Sequence, residues 1–161
     1  MESIVSDTTT LIILGKLGRY DLLENLFSKI YIPQEVMKEI NIKSDGVYEE
    51  IEKNSLFETK EITDMALLTL LEGILDKGES QAIVLAKELN MILLIDEKKG
   101  RKIAKSMSLE VIGLLGILIL NVKKSFISKR EVLNLLEEIK GLKFRVSKKL
   151  EESFFKIIKG F

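Results

Sequence analysis

The chain has no cysteine, no histidine, no tryptophan and a single proline, Pro33, in 161 residues. Each absence removes a class of chemistry. Without cysteine there is no disulfide framework and no thiolate metal site, which fits a reducing compartment. Without histidine there is no imidazole base, no imidazole ligand and no Ser–His or Cys–His nucleophile. Metal chemistry would have to rest on oxygen ligands, which suit Mg²⁺ or Mn²⁺ rather than Zn²⁺. Long apolar runs are missing too. The longest, Val111 to Leu120, falls well short of the ~20 residues a membrane span needs and contains Gly113 and Gly116. The opening Met1-Glu2-Ser3-Ile4-Val5 lacks the basic start and long apolar core of a signal peptide. The expectation is a cytoplasmic protein with no membrane segment.

What is present is a chain 46% hydrophobic and 31% charged, neither disordered nor membrane-embedded in composition. Its length suits one domain able to bury its own core. The formal net charge is zero, but the zero is a cancellation. Residues 1–97 carry 9 basic and 19 acidic side chains, a balance of −10. Residues 98–161 carry 16 basic and 6 acidic, a balance of +10.

Hydrophobic spacing alternates strands with helices. Ile4-Val5 reads as a strand, Ser6 to Thr10 as a capped turn, and the pattern through Leu17 as a helix. Tyr20 to Phe27 continues as a second helical piece, and Ile30-Tyr31-Ile32 is the next strand. Pro33 suits a first helical position, with Gln34 to Ile40 following. Ser44 to Asn54 reads as a polar helix, and Leu56 to Ile62 as an edge strand. Thr63 or Asp64 can cap a helix through Leu75. Asp76-Lys77-Gly78 reads as a turn, and Glu79 to Asn90 as a helix. Met91 to Ile95 is a central parallel strand, Lys98 to Met107 a basic helix, and Glu110 to Ile112 a short strand. Gly113 to Phe161 reads as three helices, with Phe154, Phe155, Ile157 and Ile158 as an apolar stripe that suits the core. Alternation of this kind specifies an α/β fold around a parallel sheet.

Functional groups on such sheets gather beyond the carboxyl ends of the strands. Asp7 and Asp96 follow two strands, while Glu39 and Glu79 sit on intervening helices. Asp96, after an apolar strand, is the sharpest functional signal, while the other three have ordinary explanations. Asp7 suits an N-cap, Glu39 a solvated helix face, and Glu79 a first helical turn that complements the macrodipole. Four carboxylates converging at one end of a sheet would repel one another unless a divalent cation neutralised them. The basic run Lys98, Lys99, Arg101, Lys102 and Lys105 reads either as a solvated face or as a phosphate-backbone contact.

Five segments taken in order resemble the PIN-domain nucleases. They are Val5-Ser6-Asp7-Thr8-Thr9 with Leu11-Ile12, Ile32 to Glu39, Gly78 to Ala86, Leu94 to Ala104, and Val111 to Leu118. The flavour is that of a prokaryotic branch related to the VapC-type toxins of toxin–antitoxin pairs. The resemblance implies a three-layer α/β/α domain over residues 1–127, with 128–161 as a helical extension packed on it. It implies that Asp7, Glu39, Glu79 and Asp96 hold Mg²⁺ or Mn²⁺ and cleave RNA, with Glu97 as a helper ligand. Thr8 and Thr9 take the place of a small polar residue supporting the first acid, beside the nucleic acid. An antitoxin and a second copy of the chain are the implied partners. Two positions depart from the pattern: Glu97 stands where a second Asp is common, and Thr10 where a proline is. Two other classes remain open, a scaffold that binds RNA or an antitoxin without cutting, and a DNA-directed nuclease.

Overall fold

A computed structural model describes residues 1–43 and 46–161. Ser44 and Asp45, which open the expected polar helix, lie outside the described residues. The chain runs β1 (Glu2–Ser6), α1 (Thr8–Leu17), α2 (Asp21–Glu24), β2 (Phe27–Pro33), α3 (Gln34–Lys43) and α4 (Val47–Lys53). It continues β3 (Phe57–Lys60), α5 (Met65–Glu72), α6 (Lys77–Leu89), β4 (Ile92–Leu94), α7 (Lys98–Ser106) and β5 (Val111–Ile112). The helices α8 (Leu114–Lys123), α9 (Lys129–Gly141) and α10 (Lys148–Lys159) complete it. No helix among the described residues is long and apolar enough to cross a membrane.

All strand pairings are parallel, in the order β3-β2-β1-β4-β5. Period-two alternation gives the central strands β1 and β4 two buried faces. Ile4, Ile30, Ile32 and Leu94 face a cluster built with Leu11, Val36, Ile40, Leu118 and Leu136. Val5, Leu93 and Ile95 face the opposite way, onto Leu71, Ile83 and Ala104. The fold is therefore three layers, α/β/α. Phe154 and Ile158 of α10 and Leu135 and Ile139 of α9 belong to the first cluster, so the C-terminal helices share the core of the sheet. Buried Asn121 pins α8 to α2. Its Nδ2 donates to Leu22 O at 2.9 Å, and its Oδ1 accepts from Asn25 Nδ2 at 2.9 Å, which leaves no buried amide unpaired there.

Three boundaries differ from the expectation. β2 starts at Phe27 rather than Ile30, because Phe27 pairs with Glu2 and extends the ladder beyond the apolar run. Pro33 ends that strand instead of opening α3, and lies opposite Lys60 of β3. As the last strand residue it sits where its missing N–H does least harm. Asp76-Lys77-Gly78 is not a turn but the cap and first turn of α6. The Asp76 carboxylate accepts from Glu79 N at 2.8 Å and so starts the helix.

One glycine is fixed by close approach. A Cβ at Gly15 would collide with the Tyr20 hydroxyl and reach 2.9 Å from Val47 Cγ1. That hydroxyl donates to Leu11 O at 2.7 Å, which locks the loop after α1 against the helix itself.

Candidate active site

The strand order reverses between β1 and β4, and the loops leaving those two strands bracket the crevice where open α/β sheets bind ligands. Asp7 N donates to Leu94 O at 2.9 Å, carrying the β1–β4 ladder one residue past the strand end. Asp7 holds the N-cap position of α1, yet its side chain makes no capping hydrogen bond. The carboxylate is only 6% exposed. Burial first, and then the negative charges of Glu39, Asp76 and Asp96, push its pKa to about 7, although the adjacent Thr8 backbone lowers it in part.

Glu39 reaches the same place from α3. Thr8 Oγ1 donates to its Oε2, and Lys43 Nζ, one turn along, donates to Oε1 at 2.9 Å. A Cβ at Gly78 would stand 3.3 Å from Glu39 Oε2 and 3.7 Å from Asp76 Oδ1, which shows how closely the start of α6 approaches α3. Glu79 projects from that start. Burial raises its pKa, and Asp76, within hydrogen-bonding reach, raises it further to about 8, with Asp7 and Glu97 adding repulsion. Two facing carboxyls can hydrogen-bond only if one keeps a proton. Glu97 caps α7 by accepting from Gly100 N at 2.8 Å. A Cβ at Gly100 would come 2.7 Å from Ile95 Cδ1 and 3.3 Å from Glu79 Oε2, so glycine is what lets the start of α7 close on the strand end and this cluster.

Asp7, Thr8, Thr9, Glu39, Glu79 and Glu97 share one cleft of about 380 Å³. Three features of its wall were not anticipated: Asp76, Lys43, and the segment Leu142 to Arg145. Asp96 is placed differently. It is partly buried beside the cleft and does not line it. Its Oδ2 accepts from Thr10 Oγ1 at 2.6 Å and its Oδ1 from Leu114 N at 2.9 Å. Burial raises its pKa, while those two hydrogen bonds and the nearby Arg101 charge oppose the rise. Arg101 Nη1 donates to Ile95 O at 2.8 Å. Lys98, Lys99 and Lys102 are exposed on α7, and none of them lines the cleft.

The donor set fits a hard divalent cation: it consists of carboxylate and hydroxyl oxygens, with no sulfur or imidazole. The raised proton affinities of Asp7 and Glu79 carry the same message, since a site that resists its own ionisation gains most from a cation. Among the described residues, no three acidic side chains are close enough as they stand to grip one ion.

Fold and site together define a three-layer parallel α/β domain with acidic side chains gathered at its topological switch point. The chain matches a family model described as a PIN domain (DUF3368) over residues 3–159, and it belongs to that family. The match runs through α8, α9 and α10 as well as the sheet. No curated protein matches the chain. PIN domains are generally nucleases, commonly dependent on divalent metals.

Proposed function

We propose that the protein is a Mg²⁺- or Mn²⁺-dependent endoribonuclease. The observation that carries this reading is that buried Asp7 shares one cleft with Glu39, Asp76, Glu79 and Glu97, with Asp7 and Glu79 holding their protons well above the ordinary carboxylate range. Ionised together without a cation, these carboxylates would repel one another. As a cation site the cluster has a use.

Asp7, Glu39 and Glu79 would hold the ion, with Glu97 at the margin and Asp96 behind Asp7. When bound, the cation supplies Lewis acidity toward the phosphate and acidifies a water. The remaining roles fall to the chain. Thr8 fixes the Glu39 carboxylate by donating to Oε2, and Lys43 restrains its other oxygen. Glu79, its pKa raised to about 8 by burial and by Asp76, is suited to accept the proton that an attacking water releases. Asp96 acts through Thr10 and the α8 amide, setting the angle at which α1 and its Asp7 leave the sheet.

RNA as substrate, growth arrest as the role of a toxin, restraint by an antitoxin, a homodimer and a cytoplasmic setting extend the reading along the VapC resemblance. Lys98, Lys99, Arg101 and Lys102 would form an outer approach for the strand. The test is cleavage of matched single-stranded RNA and DNA oligonucleotides with and without Mn²⁺. Mn²⁺-dependent cutting of RNA that is lost in Asp7→Asn supports the proposal. Cutting of DNA alone, or full activity in Asp7→Asn, would overturn it. A protein that binds RNA and never cuts would favour the silent-scaffold alternative.

A further inference from the structure

Leu142 to Arg145 connects α9 to α10 and forms one side of the acid cleft. Its residues alternate. Leu142, Phe144 and Val146 are half-buried against the main core, whereas Lys143 and Arg145 are exposed. Lys143 adopts a left-handed backbone with φ of 68°, a conformation uncommon for lysine, so the turn that presents it is imposed by its surroundings. The apolar residues thus anchor the segment and leave its two cations over the cleft. Among the described residues, neither cation forms an ion pair within 4.0 Å, although five carboxylates line the same cleft. Lys43 on the facing wall is, by contrast, already paired with Glu39.

We infer that Lys143 and Arg145 form a phosphate clamp that holds the backbone of single-stranded RNA across the acid cleft. The inference takes its ligand class from the nuclease reading above. A polyanion approaching five carboxylates needs cations at the same mouth to offset the repulsion. Lys143 and Arg145 line that mouth and have no ion-pair partner among the described residues. Phe144, half-buried between the two cations, also lines the cleft, so the charge of the segment is carried by Lys143 and Arg145 alone. The contacts of those two cations would be to backbone phosphates and indifferent to sequence.

The experiment uses the intact protein and a labelled single-stranded RNA, with affinity measured against salt in EDTA and cleavage measured in Mn²⁺. Losing two phosphate contacts in Lys143→Ala/Arg145→Ala should reduce the salt slope by about 1.4. In cleavage, KM should rise about tenfold with kcat within about twofold of the parent. Lys123→Ala/Lys124→Ala, at the opposite end of the sheet, removes the same charge and should leave the slope unchanged. An unchanged slope in the clamp variant, an equal drop in the control, or no RNA binding by the parent overturns the clamp. If the parent binds with the expected slope but never cuts, the nuclease reading fails and the clamp stands. If it cuts while the clamp variant keeps its KM and slope, the reverse holds. Thermal melts of each variant separate loss of binding from loss of fold.

Discussion

Thr10 Oγ1 donates to Asp96 Oδ2 at 2.6 Å, joining the first turn of α1 to the loop that leaves β4. The other oxygen of Asp96 takes the Leu114 amide, at the start of a helix whose own cap, Gly113, has no side chain to offer. Asp96 is thus a remote cap as well as a neighbour of the site. Asp96→Ala should lose about 2–4 kcal/mol in urea denaturation, from two hydrogen bonds to a charged group. Asp96→Asn keeps an oxygen for Leu114 and should lose less than half of that. If both variants match the parent in stability, Asp96 is not the joint described here.

Asp7 reverses that balance. Its burial costs stability whenever the carboxyl is ionised without a cation. Asp7→Asn should therefore raise the melting temperature of the metal-free protein at pH 8 while abolishing Mn²⁺-dependent cleavage. A variant less stable than the parent at that pH would show that the buried carboxylate is not under strain.

The pH dependence follows in the same direction. The pKa of Asp7 rises from 3.8 to about 7, and that of Glu79 from 4.5 to about 8. The folded metal-free protein thus keeps protons that the unfolded chain has released. That stabilisation is full below about pH 4 and is lost as pH rises through 7 to 8. For Asp7 alone it is on the order of 4 kcal/mol, or roughly 10 °C in Tm for a domain of this size. Calorimetry without metal should show Tm falling between pH 5 and 8.5, and saturating Mn²⁺ should flatten the curve. A flat metal-free profile would contradict the assigned burial of these acids.

Ser80, next to Glu79 on α6, is fully buried, and its hydroxyl has no hydrogen-bond partner among the described residues. Ser80→Ala removes an unsatisfied polar group at almost no change in volume and should stabilise the protein by about 1 kcal/mol. Loss of stability instead would mean that the hydroxyl has a partner.

The periodic parts of this architecture were open to inspection in the sequence. Met91 to Ile95 marked a central strand, and the acids after two strands marked the right end of the sheet, because parallel strands and their carboxyl ends leave a local signature. Asp76 escaped because Asp-Lys-Gly has turn composition, and only the bond to Glu79 N shows it to be a cap. Lys43 and the 142–145 segment escaped for another reason. Their place in the cleft depends on how α3 and α9 pack against the sheet, contacts distant in sequence. The position of Asp96 beside the cleft likewise depends on Thr10, 86 residues away.

The acids of the cleft do not come from one layer. Asp7, at the start of α1, and Glu39, within α3, belong to the layer that packs on Ile4 and Ile30, while Asp76, Glu79 and Glu97 belong to helices that pack on Val5 and Ile95. A cation held between them would act as a rivet through the sheet's open end. Its arrival should slow amide exchange in α1, α3, α6 and α7 together, so that substrate meets a scaffold already made stiff on both sides.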